Sequence, residues 1–235
     1  MKRSNPWIEL PETSPYVLEC DRPAIESYNN NAAEGFRLVT ELLPEPFVGD
    51  IAAPLVVLLL NPGVSSEDAA WQSIQGNRSL IRDGIQGRRR IHFHIEHEAS
   101  SPGARWWHRV SRHLVNSLDR AVVARRLLAV QYFPYHSQRF GHARLRIPSQ
   151  QYGFDLVSAA VQRGALIVCV RGRQLWQEAV PELKTYQRFT VLKNPRNASL
   201  SPGNSTRFGE MLDVLGKAPN KAPPTPGSVT PGAND

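Results

Sequence analysis

The sequence predicts a three-layer α/β/α sandwich built on a central, mainly parallel four-stranded sheet. Three observations predict it. Apolar runs of strand length alternate with stretches of helical spacing, as in βαβ architecture. The run Leu55 to Leu60 is continuously apolar, as expected of a strand covered on both faces. The 235 residues, 41% hydrophobic and 21% charged, suit one domain with its own core.

The elements follow in order. Residues 1 to 30 are rich in turn formers and read as an extended arm, with Trp7, Ile8, Tyr16, Val17 and Leu18 able to lie across the body. Residues 31 to 216 form the α/β domain. Asn31 to Leu43 has helical spacing, with Ala33, Phe36 and Val39 on one face, and ends before Pro44. Leu55 to Leu60 is the first strand, broken by Asn61-Pro62-Gly63, and Gly103 to Leu118 is a helix with Trp107, Val110, Leu114 and Leu118 on one face and a basic opposite face. Arg126 to Phe133 is the second strand, and Gln151 to Gln162 a helix with Ser149 as N-cap. Ala165 to Val170 is the third strand, Arg173 to Ala179 a short helix, Gln187 to Leu192 the fourth strand, and Ser205 to Leu215 the last helix. From Lys217 to Asp235 the chain is proline-rich and almost without apolar residues, so a disordered tail is expected.

Composition narrows the function classes. No apolar run reaches the ~18 residues that span a bilayer, and no apolar segment follows the basic N-terminus, so neither a membrane partner nor a secretory signal is expected. The expected location is cytoplasmic, nucleoid-associated if the source is bacterial, and a monomer is the default state. Cys20 and Cys169 are too few for a thiolate metal site or a disulfide framework. The net charge is +7 and its positive part is overwhelmingly arginine, whose planar fork binds phosphate and stacks on bases. That balance points to nucleic acid, with a merely solvated basic face as the alternative.

Ligands of open α/β sheets bind beyond the carboxyl ends of the strands. Three segments there are unusual: Asn61 to Asp68, Tyr132 to Ser137, and Asn194 to Asn204. Proline restricts the residue before it, so Asn61-Pro62 holds an amide at the sheet edge in a defined orientation suited to a water. The plain alternative is a turn leading to a helix, capped by Ser65 or Ser66 and completed by Glu67 and Asp68.

LLLNPG at residues 58 to 63 resembles the first motif of the uracil-DNA glycosylase superfamily, nearest its mismatch-specific and single-strand-selective branches, and NPRNASLS at 194 to 201 resembles the second. The resemblance implies that Asn61 holds the attacking water, with Pro62 and Gly63 shaping the base site. It implies a base-reading role for Gln131, where the family often has asparagine, a place beside the base for Phe133 and, by stacking, for Phe93 or His94. Leu59 replaces the family's first glycine, so a bulkier or modified pyrimidine stands beside uracil as substrate. Leu200 would be the wedge entering the base stack, flanked by Ser199 and Ser201, while Arg196 and Asn197 would meet DNA.

Glycosidic cleavage needs base-directed donors and a placed water, which Asn61 and Asn194 can supply. Cytosine-type bases gain from a proton, and Glu67 or Asp68 is the candidate acid. Arg105 and Arg109, with Arg78, Arg82, Arg88, Arg89, Arg90 and Arg112, are phosphate-contact candidates. The expectation is a cofactor-free, monofunctional glycosylase acting on DNA, in repair or in defence against modified phage DNA. A non-catalytic nucleic-acid-binding module is the alternative. A metal-dependent nuclease using His92, His94 and Glu96 on one strand face ranks last.

Overall fold

The computed structural model describes residues 4–97 and 101–217. In chain order these contain helix α1 (Arg22–Asn31), strands β1 (Phe47–Gly49) and β2 (Leu55–Leu59), and helices α2 (Asp68–Ser73), α3 (Gln75–Ile85), α4 (Phe93–Glu96), α5 (Pro102–Ser117) and α6 (Arg120–Arg126). Strand β3 (Leu127–Gln131), helix α7 (Gln150–Gln162), β4 (Leu166–Cys169), α8 (Arg173–Ala179), β5 (Phe189–Val191) and α9 (Phe208–Gly216) follow. The sheet order is β1-β3-β2-β4-β5, parallel except for β1. The chain is therefore the expected α/β sandwich, with five strands in place of four.

Why the strands are apolar throughout is visible in how they divide. Val56, Leu58, Leu128, Val130, Ile167 and Cys169 enter one core, under α1, α3, α7 and α8. Their neighbours Leu55, Val57, Leu59, Leu127, Ala129 and Val168 enter a second core, under α5, α6 and α9. Successive strand side chains point to opposite faces, so a sheet covered twice needs apolar residues at every position.

The added strand is β1, and three residues after Pro46 are too few to show a period. Gly49 has φ +113°, and a Cβ there would stand 2.1 Å from the Leu127 carbonyl oxygen, so glycine permits the antiparallel approach. The helix expected over 31 to 43 is replaced by a 3-10 turn at Glu34–Phe36 and extended chain. Asn29 explains the change: its side chain donates to the Leu38 carbonyl and accepts from the Leu38 amide, both at 2.8 Å, in place of helical bonds. Val39 then bridges to His136.

The N-terminal arm is not extended throughout, since residues 22 to 31 form α1. Trp7, Tyr16, Val17 and Leu18 do pack into the core, whereas Ile8 is 62% exposed. Buried Asp21 pins the arm, accepting from the Tyr135 hydroxyl at 2.8 Å and from the Ser149 amide at 3.0 Å. Ser149 begins α7 as expected, but its hydroxyl caps nothing.

Three further boundaries move. Residues 120 to 126 are helical, so β3 begins at Leu127, and α9 begins at Phe208. His92 to His97 folds as the short helix α4 and its flanks, not as a strand. Glu98 and, from residue 218, the expected disordered tail lie outside the described residues. Among the described residues no helix is long and apolar enough to cross a membrane.

Candidate active site at the carboxyl edge of the sheet

From β2 the chain leaves toward β3, and from β4 it leaves toward β5 on the opposite side. Between such diverging connections the strand ends cannot be covered, and a crevice opens. Here it is a cleft of about 380 Å³, bounded by the segments after β2, β3 and β4. That volume suits a small organic ligand.

Asn61 stands at the centre. Its Nδ2 donates to the Pro62 carbonyl and to the Ser137 hydroxyl, both at 2.9 Å. The Ser137 hydroxyl donates onward to the Arg139 carbonyl at 3.0 Å, so toward Asn61 it can only accept. The amide orientation follows: the NH2 is held inward, and Oδ1 is left as an acceptor on the cleft. Pro62 and Gly63 line the same cleft, as does Gln131, whose Oε1 is buried without a partner. An unpaired buried acceptor is costly unless a ligand donor satisfies it.

A group of four ionisable side chains faces Asn61. Both ring nitrogens of His136 meet carbonyl oxygens, Gly63 at 2.7 Å and Leu43 at 3.0 Å, which only a ring donating from both sides satisfies. Buried Glu45 lies 2.9 Å from His94 Nε2 and 3.9 Å from His136 Nε2. Burial alone would raise its pKa, but the two histidines outweigh it and hold the carboxyl below its usual range. Asp68 accepts from the Ser65 amide at 2.6 Å through one oxygen. Its pKa is raised by burial, with Glu45 adding to the rise and the Ser65 amide, His136 and His94 opposing it. Gly103 keeps room for this group, since a Cβ there would be 2.6 Å from His94 Cε1.

Aromatic walls complete the cleft: Trp71, Trp106, Trp107 and Phe140. Trp71 lies parallel to Phe93, ring centroids 6.4 Å apart. Phe93 is therefore buried behind the wall, and the stacking surface expected of it belongs to Trp71. Phe133 is likewise core, packed on His142 and Tyr135. Glu67 turns outward to an ion pair with Arg105 at 2.7 Å, which leaves Asp68 as the carboxyl of this turn on the cleft.

The second Asn-Pro segment is placed differently. Asn204 organises it, accepting from the Asn194 amide and donating to the carbonyls of Asn197 and Ser199. Asn194 is exposed, its side chain accepting from the Arg196 amide, and does not line the cleft. Leu200 is fully buried in the core beneath α5, its amide bonded to the Val110 carbonyl at 2.9 Å, so it cannot serve as a wedge. Ser201 is buried and Ser199 half-buried, while Arg196 and Asn197 form the exposed tip. Arg171, on the cleft, ties this tip to the mouth by donating to the Pro195 carbonyl at 2.9 Å.

Arg105, Arg109 and Arg112 follow one another along the exposed face of α5, whose first turn borders the cleft. Several arginines of the earlier basic stretch are engaged internally: Arg82 with Leu10, Pro11 and Glu12, Arg88 with Asp83, Arg89 with Glu96. With Glu96 on Arg89 and His92 buried against Trp107, the trio His92, His94 and Glu96 does not converge. Among the described residues no three His, Cys, Asp or Glu side chains are grouped to hold a metal ion.

Glu45, Trp71, His136 and Ser137 were not singled out by sequence. Flanking prolines at 44 and 46 and the unusual loop after β3 were their only local signals. Comparison of the chain with protein-family models, curated proteins and solved structures finds no match.

Proposed function

We propose that the protein is a DNA glycosylase that takes a damaged or modified base into the cleft and hydrolyses its N-glycosidic bond, leaving an abasic site. The observation that carries this reading is Asn61, an amide locked from behind so that its carbonyl oxygen faces a base-sized, aromatic-walled cleft. Breaking the bond develops positive charge on the sugar, and a water donating to Asn61 Oδ1 is positioned to add there. Gln131 lines the cleft with an amide whose NH2 is free to meet a polar edge of the base, and Trp71 offers a face for stacking. The arginine stripe of α5 and Arg196 on the neighbouring tip supply contacts for the phosphate backbone. The resemblance of LLLNPG to the uracil-DNA glycosylase superfamily's first motif agrees with this role for Asn61. Repair and defence against modified phage DNA are the settings such a reaction serves.

The test is incubation, with EDTA present, on duplex and single-stranded DNA carrying uracil, hypoxanthine, mismatched thymine or hydroxymethylcytosine, scored as alkali-labile sites. Abasic sites are expected on at least one substrate, and Asn61→Ala is expected to lower the rate ~100-fold or more with the unfolding midpoint within the range of surface variants. DNA binding without abasic sites on any substrate would replace the enzyme by a nucleic-acid-binding module.

A further inference from the structure

We infer that the cleft serves an amino-pyrimidine of the cytosine class, with Asp68 as the general acid that protonates the base as it leaves. This rests on the glycosylase reading and goes beyond it by naming the leaving group.

The geometry that points there is the allocation of donors. A uracil-type base departs as an anion and asks for a strong donor aimed at it. Yet the imidazole and Asn61 donors deep in this cleft are paired or buried, and the neutral Gln131 amide is the weaker donor left on its wall. His136 gives both nitrogens to backbone carbonyls, His94 meets Glu45 through Nε2 while its Nδ1 is buried without a partner, and the Asn61 NH2 is turned inward. Arg171, the cation on the cleft, lies at the exposed mouth with its Nε bound to Pro195. Besides the Gln131 amide, the cleft presents the Asp68 carboxyl, of which one oxygen is held by the Ser65 amide and the other accepts no bond among the described residues. The ionisable groups acting on it are Glu45, His94 and His136, and its burial favours the proton-bearing form.

A cytosine-class base has an acceptor ring nitrogen, N3, where uracil carries a proton, and its anion is the poorer leaving group. In the step, Asp68 gives its proton to that acceptor as the C1′–N1 bond breaks, and the bonding pair goes to N1. The base leaves neutral. Water adds its oxygen to C1′, and the proton it releases returns to the Asp68 carboxylate. The sum is base-bearing sugar plus water giving abasic sugar plus free base.

The experiment compares hydroxymethylcytosine with uracil, each opposite guanine, across pH 5 to 9, using the full chain, Asp68→Asn and Asp68→Glu. Asparagine keeps an acceptor for the Ser65 amide, and unfolding midpoints check each variant. Expected is excision of hydroxymethylcytosine by the unaltered protein at a rate that falls as pH rises. Asp68→Asn should lower it ~100-fold or more and flatten the pH profile, and Asp68→Glu should restore part of it. If uracil alone is excised, or the unaltered protein shows no decline with rising pH, the inference is overturned while the glycosylase reading stands. Abasic sites on neither substrate, nor on any other of the panel, would remove both.

Discussion

His142 shows how one side chain can set the pH range of a fold. It is 1% exposed, its ring packed 4.3 Å from that of Phe133 and 4.4 Å from that of Phe140, and neither nitrogen has a partner. Burial pushes its pKa down from 6.5 to about 4. As pH falls the unfolded chain takes this proton first, so the stability tied to the neutral ring is complete above pH 6.5 and is lost between there and pH 4. The difference amounts to about 3 kcal/mol. His92, buried against Trp107 and also pushed down by burial and by His94, acts in the same direction. His142→Phe, matched to its aromatic neighbours, should reduce the loss of stability between pH 7.5 and pH 4.5, read from urea unfolding at each pH. An unchanged loss would show that the ring titrates freely in the folded state.

Elements differ in how much of them can be read in advance. β2 and β4 were legible because continuous apolar runs of four to six residues have few other homes in an α/β domain. α5 was legible from its period, whereas its N-cap, Ser101, which accepts from the Ala104 amide at 3.0 Å, was not read. The loop after β5 was misjudged because Asn194-Pro195 draws the eye, whereas its organiser is Asn204, ten residues on. Leu200 looked available because polar residues surround it, yet the polar ones satisfy the loop's own backbone while Ala198 and Leu200 fill the core between α5 and α9. Leu200→Ala should therefore cost ~2–5 kcal/mol of stability. An unfolding midpoint left in place, with excision from duplex DNA lost, would return the side chain to the role of wedge.

At the scale of the whole molecule, the site is a product of topology more than of any local pattern. Asn61 was legible from its proline and its strand, but Ser137, which fixes the orientation of its amide, lies 76 positions away in sequence. Glu45 and His94 are 49 apart, and the sheet order brings their segments to one edge. No periodicity or composition encodes such a meeting. What could be read was the edge at which to look, because the strands parallel to one another end on the same side. The aromatic wall was not legible: Trp107 was read only as part of a helix's apolar face, and Trp71 sat in a helix too short to declare itself.

The central sheet has a further consequence for how damage accumulates in this protein. It keeps the two apolar layers apart, so injuries to different layers share no partner and should simply sum. Val110→Ala combined with Val157→Ala, one in each layer, is expected to match the sum of the single losses to within ~0.5 kcal/mol. Val110→Ala combined with Leu200→Val, neighbours in one layer, should depart from its sum by ~0.5 kcal/mol or more, as double-mutant cycles from chemical unfolding would show. Tolerance to mutation is then one shared reserve of folding free energy, which losses in either layer deplete in proportion to their plain sum.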